Sequence, residues 1–307
     1  MTKSLRGGVI GAGVFGAYHA RQYARLPGVV LSGVFDVHPD RAARLAVPLG
    51  GRAFATLADF LDAVDVVTIA SPAAWHGEQA LAALAAGKSI YVEKPIAVTV
   101  AQAEAIGAAA TAANLVVACG HQERVLFQTI GLFDIPEQPL RLEAVRHGPP
   151  SERNLDVSVV LDLMIHDLDL VLALSAANPL RVSGEGAIAT SRSYDVARAD
   201  IAFDDGFTAV FDVSRMAPER RRSMRVVYPS GAVEIDFLTR AFRNTTAFPL
   251  NRDFADTPAA KDTLGASIEG FLQAVRGEAP APVVGAADAT RALDLALAIE
   301  QALAQRD

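Results

Sequence analysis

Two short stretches carry side chains able to do chemistry. In IYVEKPIA (90–97) an apolar run ends on Glu93-Lys94-Pro95, where a solvent turn would more usually use Gly, Asn, Asp or Ser. An acid, an amine and a rigid ring at a strand end point to deliberate placement. Of the 28 basic residues only four are lysines (Lys3, Lys88, Lys94, Lys261), so the compact, titratable amine at 94 is a choice in a chain that otherwise prefers arginine. In LDLMIHDLD (161–169), Asp162 and His166 stand at i, i+4, and Asp169 follows His166 at i+3, so a helix would place all three on one side. Leucines, Met164 and Ile165 surround them. A paired, partly buried imidazole in such a setting has the properties of a general base; the plainer reading is a polar surface stripe.

GAGVFG (11–16) places Gly11, Gly13 and Gly16 in the G-x-G-x-x-G spacing between a strand and a helix. The first allows a tight turn, the second lets backbone approach a pyrophosphate, and the third lets helix and strand pack closely. The N–H groups of Val14 and Phe15, at the helix start, would then face phosphate. Asp36 ends the next strand 20 residues beyond Gly16. A carboxylate there accepts hydrogen bonds from ribose hydroxyls and repels a 2′-phosphate, which favours NAD over NADP; Arg41 is the neighbour that argues the other way. Ser71 and Pro72 close a further strand and His76 opens the helix behind it, at the strand end where open parallel sheets bind ligands. These three, with Glu93 and Lys94, are candidate cofactor neighbours. His121 ends the last strand of this half, whereas His19, His38 and His147 have no comparable context. No Cys/His spacing suggests zinc, no carboxylate cluster suggests Mg²⁺, and no G-x-S-x-G elbow occurs. Five arginines between Arg215 and Arg225 read as a solvated cluster at a strand end or as a grip for phosphates.

The elements that must position these residues change rhythm once. Up to about residue 120, short runs that are apolar on both faces (8–10, 29–36, 65–72, 89–95, 115–120) alternate with helical stretches (15–26, 39–46, 75–86, 99–114), the signature of a doubly wound parallel sheet. A long helix over 155–178 follows, then longer strands at 181–190, 194–204, 206–214, 221–228 and 231–238 with turns at Asp204-Asp-Gly206 and Pro229-Ser-Gly231. Helices at 267–276 and 286–305 close the chain. The expected organisation is a Rossmann domain over 1–122 and, over 123–307, an α/β domain with a large, mainly antiparallel open sheet that binds substrate and oligomerises. FTAVFDV (207–213) has apolar residues at both parities, so a homodimer or homotetramer is expected to cover an apolar sheet face. One cysteine, Cys119, excludes an internal disulfide, and a net charge of −7 gives no general attraction to nucleic acid or anionic lipid. MTKSLRGGVI lacks an apolar signal segment and no later run is long enough to span a membrane, so a cytoplasmic location is expected.

The glycine loop at the start, EKP at 93–95 and D-x-x-x-H at 162–166 together resemble the Gfo/Idh/MocA oxidoreductase family, in the family's order and across the whole chain. Within it, GHQER (120–124) and DLMIHDLDLVL (162–172) look most like nucleotide-sugar dehydrogenases such as the UDP-N-acetylglucosamine 3-dehydrogenases, although Val125 stands where those enzymes usually carry Phe. The resemblance implies NAD(P)-dependent hydride transfer from a secondary hydroxyl of a sugar, polyol or nucleotide sugar. It implies that Lys94 reaches nicotinamide and the reacting oxygen while Pro95 fixes the backbone that aims it, and that Glu93 seats the cofactor or holds the turn. It implies that His166 takes the hydroxyl proton and that Asp162 orients His166 or binds a neighbouring hydroxyl. Relatives that use NAD transiently to cleave glycosidic bonds, and a non-catalytic dinucleotide-binding regulator, are the alternatives it carries.

Overall fold

The computed structural model describes residues 4–151 and 157–305. They form two compact units, one built from residues up to Val125 together with Asp262–Thr290, the other from Leu126–Lys261 together with the C-terminal segment from Arg291. Part of the last third of the chain therefore returns to the first unit, which a single boundary near residue 122 does not anticipate.

The first unit is a six-stranded sheet in the order β3-β2-β1-β4-β5-β6. Its strands are β1 (Leu5–Ile10), β2 (Val29–Phe35), β3 (Arg52–Phe54), β4 (Val66–Ile69), β5 (Ser89–Val92) and β6 (Val117–Cys119), all pairing in parallel. Helices α1 (Val14–Arg25), α2 (Pro39–Ala46), α3 (Leu57–Asp62), α4 (His76–Ala85) and α5 (Val100–Ala113) connect them. Every residue of β4 and β5 is buried, as expected of central strands covered on both faces. The short β3 was not expected: three residues give no periodicity to read, and its pairing depends on Gly33, where an added Cβ would stand 2.3 Å from the Phe54 ring.

After α6 (Glu123–Ile130), the second sheet runs β13-β12-β11-β7-β10-β9-β8. Its strands are β7 (Arg141–His147), β8 (Pro179–Ala187), β9 (Val196–Phe203), β10 (Thr208–Ser214), β11 (Arg221–Tyr228), β12 (Gly231–Asp236) and β13 (Phe242–Asn244). Only β7 and β10 pair in parallel, so the sheet is mainly antiparallel, as the alternating patterns imply. β7 escaped the pattern because its inward positions are Leu142, Ala144 and Arg146, the last a buried charge. The remaining helices are α7 (Ile165–Leu174), α8 (Pro258–Lys261), α9 (Thr263–Arg276) and α10 (Ala286–Ala304). The expected helix over 155–178 is shorter among the described residues: it opens with a π-helical turn, Val160–Met164, and stops at Leu174, where Ser175 turns extended. Residues 155 and 156 of that expectation lie outside the described residues.

One face of the second sheet is apolar, with Ala199, Ile201, Phe211, Val213, Met224 and Val226 all buried. The other face is not the apolar patch expected from FTAVFDV. Register places Val210 between Glu143 and Asp200, and Asp212 between Val145 and Arg198. That face is laced with ion pairs, among them Arg141–Glu143 (2.8 Å), His147–Asp212 (3.0 Å) and Arg225–Glu234 (3.3 Å). The outward Val210, between two carboxylate side chains, is itself only 9% exposed.

Candidate active site

The carboxyl ends of β1, β2, β4 and β5 carry the first group of candidate residues. Gly11 leaves β1 with φ +98° and donates its N–H to the Phe35 carbonyl at the end of β2 (2.8 Å). An added Cβ on Gly11 would stand 2.7 Å from the Ala70 carbonyl oxygen, and one on Gly16 would stand 1.8 Å from that of Gly11, so both glycines are required by close backbone approach. At Gly13 the same Cβ would meet nothing within 4 Å. The loop is thus packed on two sides and open on the third. α1 begins there with no side-chain cap, and Val14 and Phe15 are half exposed beside the opening. A backbone-lined opening at an uncapped helix start fits a dinucleotide pyrophosphate.

Asp36 is oriented by backbone donors. Its Oδ2 accepts from Ala12 N–H (2.7 Å) and its Oδ1 from His38 N–H (2.8 Å), so the carboxylate ties the glycine loop to the end of β2. Each oxygen keeps a second lone pair for ribose hydroxyls.

Ser71 and Pro72 follow β4, and the Ser71 hydroxyl donates to Gln79 Oε1 (2.7 Å). His76 is 1% exposed, with Nδ1 2.7 Å from the Pro95 carbonyl oxygen and Nε2 2.9 Å from that of Ser71. A neutral ring can donate to only one of them. Burial pushes this imidazole below its ordinary range, outweighing the two carbonyl acceptors that favour a charged ring. His76 thereby joins the turn after β4 to the turn after β5 from beneath.

The turn after β5 holds Glu93 buried, Lys94 half-buried and the Lys94–Pro95 peptide cis. Glu93 Oε1 lies 2.7 Å from His19 Nε2, a residue for which sequence context suggested no role. A signal was present: Gly16, His19, Ala20 and Tyr23 recur at helical spacing and are the buried side of α1. Burial alone would raise the Glu93 carboxyl; the hydrogen bond and charge interaction with His19, followed by the positive charge of Lys94, outweigh it and hold Glu93 below the usual carboxylate range. His121 is also buried, at the end of β6.

The second group lies on the helix of the second unit. Asp162, inside the π-helical turn, and His166, in the first turn of α7, are both half-buried, whereas Asp167 and Asp169 are fully buried. π-helical turns inside helices occur frequently at functional sites, because they turn side chains off the ordinary helical period. Asp167 takes a two-pronged bond from Arg146 of β7, Nε to Oδ2 at 3.0 Å and Nη2 to Oδ1 at 2.8 Å. At the turn's other end, Ser158 donates its hydroxyl to Glu300 of α10 and its oxygen accepts from Leu161 N–H.

Two of the five arginines from 215 to 225 are held by protein carboxylates. Arg215, 7% exposed, pairs with the buried Asp195 (3.3 Å) and donates to the Val157 carbonyl (2.6 Å), and Arg225 pairs with Glu234 across the strands. Among the described residues no cluster of three or more His, Cys, Asp or Glu is arranged to hold a metal ion, and no helix is long and apolar enough to cross a membrane.

Comparison with known proteins covers both units. A model of the GFO_IDH_MocA oxidoreductase family, described as an NAD-binding Rossmann fold, matches residues 5–121, and a GFO/IDH/MocA C-terminal domain model matches residues 141–234. The chain is 36% identical over 311 aligned positions to UDP-N-acetylglucosamine 3-dehydrogenase of Acidithiobacillus ferrooxidans, covering 96% of this chain and 97% of the relative. It is 27% identical over 247 positions to the scyllo-inositol 2-dehydrogenase (NAD(+)) of Bacillus subtilis, covering 71% and 69%. A solved structure of the A. ferrooxidans UDP-N-acetylglucosamine 3-dehydrogenase matches with a TM-score of 0.89 at 35% identity, covering 98% of each chain.

Proposed function

The chain belongs to the Gfo/Idh/MocA oxidoreductase family, NAD-dependent dehydrogenases of CH–OH groups, and on that premise we propose that it oxidises a secondary hydroxyl of a nucleotide sugar, UDP-N-acetylglucosamine being the first substrate to test. One observation carries this reading. The likeness to an enzyme of that activity takes in 96% of the chain, leaving almost none of either unit outside it. A likeness of the cofactor half alone would have spoken for dinucleotide chemistry and not for a substrate.

Bound NAD⁺ supplies the hydride acceptor. The opening over Gly13 and the α1 N-terminus hold its pyrophosphate, and Asp36 takes the ribose hydroxyls, which sets the preference for NAD over NADP. Val14, Phe15, Ser71, Pro72 and Glu93 complete the surroundings, with His76 acting from beneath through the two turns it joins. Lys94 places positive charge on the reacting oxygen as alkoxide character develops. His166 takes the hydroxyl proton, and Asp162 orients the imidazole or binds a neighbouring hydroxyl.

The experiment is a screen of UDP-sugars, free sugars and polyols with NAD⁺, followed by absorbance of the reduced nicotinamide. Net NADH formation on UDP-N-acetylglucosamine supports the reading; turnover without net NADH points instead to glycosidic cleavage, and binding without turnover to a regulator. His166→Ala should lower turnover by roughly a hundred- to ten-thousand-fold. Lys94→Ala should be at least as damaging, and Lys94→Arg should not rescue because a guanidinium does not fit an ammonium's place. Near wild-type turnover in a variant lacking both side chains would sink the mechanism.

A cytoplasmic homodimer or homotetramer completes the proposal. Its support is the outward face of the second sheet, where arginines and carboxylates alternate from strand to strand. A twofold contact can set each sign of such a surface against the other.

A further inference from the structure

The buried polar chain behind Lys94 is not absorbed by the roles above. His19 is completely buried, its Nε2 2.7 Å from Glu93 Oε1 and its Nδ1 3.5 Å from Thr68 Oγ1, and Thr68 Oγ1 is 2.9 Å from the Tyr23 hydroxyl. With a neutral imidazole, one arrangement uses each proton once and fills each acceptor. Tyr23 O–H donates to Thr68, Thr68 O–H donates to His19 Nδ1, and His19 Nε2–H donates to Glu93. Burial pushes the Tyr23 phenol well above its ordinary range despite the bond to Thr68, so its end of the chain remains a donor.

Glu93 has little freedom to answer any other partner. An added Cβ at Gly120 would stand 2.8 Å from Glu93 Oε2, so that oxygen lies against backbone. Gln122 Nε2 reaches Oε1 only at 3.5 Å. The titratable groups facing the carboxylate are His19 from α1, His76 from α4, and Tyr91 and Lys94 from its own segment. Only Lys94 among them brings a full positive charge adjacent in sequence.

We propose that His19 is a positioning residue for Lys94, acting through the Glu93 carboxylate that it grips, with Thr68 and Tyr23 fixing the ring. The inference rests on Lys94 as the group that polarises the reacting oxygen. His19 anchors the side chain that immediately precedes Lys94 in the turn after β5, and with it the stretch of backbone from which the amine extends.

The test compares wild type with His19→Leu, His19→Gln, Glu93→Gln and Lys94→Ala. Two readouts are followed: NAD⁺-dependent turnover of UDP-N-acetylglucosamine, and the carbon-13 titration of Glu93 in substrate-free protein labelled at glutamate Cδ. His19→Leu should cut kcat on the order of ten- to a hundredfold, the weight of one buried charge-assisted hydrogen bond, with KM changed little. Its Glu93 signal should titrate at higher pH. His19→Gln restores an amide donor near the Nε2 position and should recover most of both effects. A folded His19→Leu with wild-type kcat, or with Glu93 titrating as before, overturns the proposal. If His19→Leu does not fold, Glu93→Gln decides: it should reproduce the loss in kcat, and wild-type turnover overturns the proposal. Turnover retained by Lys94→Ala would instead overturn the role of Lys94. Should UDP-N-acetylglucosamine not be oxidised, the substrate reading fails while the Glu93 titration still decides the role of His19.

Discussion

At the scale of the residue, Gly13 and Gly16 separate two uses of glycine that a motif lumps together. A methyl group at 16 would sit 1.8 Å from the Gly11 carbonyl oxygen and must push loop and helix apart, whereas one at 13 meets nothing within 4 Å. Gly13 also has ordinary extended torsions, φ −77° and ψ −167°, so alanine is tolerated by the backbone. We predict that Gly13→Ala keeps the wild-type Tm but loses about tenfold or more in NADH affinity, because the methyl occupies the space a phosphate needs. Gly16→Ala should lower both Tm and affinity. Equal behaviour of the two in calorimetry and NADH fluorescence titration would refute this division. The same titration tests Asp36: NADH should bind more tightly than NADPH, and Asp36→Ala should narrow the gap while loosening the loop that Ala12 anchors.

At the scale of the element, the helix that carries Asp162 and His166 is tied down by a buried ion pair. Arg146 on β7 and Asp167 on α7 are each 2% exposed and meet through two hydrogen bonds, so neither charge can return to water if the other is removed. Asp167→Ala should therefore cost about 3–5 kcal/mol, read as a fall in the urea midpoint at unchanged m-value. Replacing both partners by apolar residues, Arg146→Met with Asp167→Leu, should recover most of that loss. A double variant no more stable than Asp167→Ala would show that the pair contributes more than mutual neutralisation. Since Asp167 adjoins His166, the double variant also reports on catalysis: stability regained without turnover would assign the pair a part in aiming the imidazole.

At the scale of the whole molecule, the assembly proposal turns on the outward face of the second sheet. Its charges alternate, with Arg225 and Arg243 both reaching Glu234 at 3.3 and 3.8 Å. Light scattering at micromolar concentration should give a multiple of the 32.3 kDa chain mass, and a monomer would end the assembly proposal. Arg225→Glu, which leaves two carboxylates facing each other across β11 and β12, should weaken the assembly. The effect should shrink in high salt, since exposed charges are screened within about 3 Å at 1 M.

Much of the first unit was legible in the residues themselves. The glycine loop, Asp36 and the alternation of buried strands with helices depend on backbone geometry and on spacing within a few positions, and α2 runs over 39–46 as the pattern predicts. The likeness to a family supplied the roles of Lys94 and His166, which spacing alone left open. What tertiary structure decided is which distant residues meet. His19 and Glu93 are 74 positions apart and are neighbours only because α1 packs against the first sheet; Arg146 and Asp167 meet only because β7, a strand with a buried arginine, sits in mid-sheet. α9, from the last third of the chain, packs Ile268, Phe271 and Leu272 into the core of the first unit. The charged outer sheet face was misread for the same reason. Parity along one strand tells which side chains share a face, but only strand order and register tell what stands beside them.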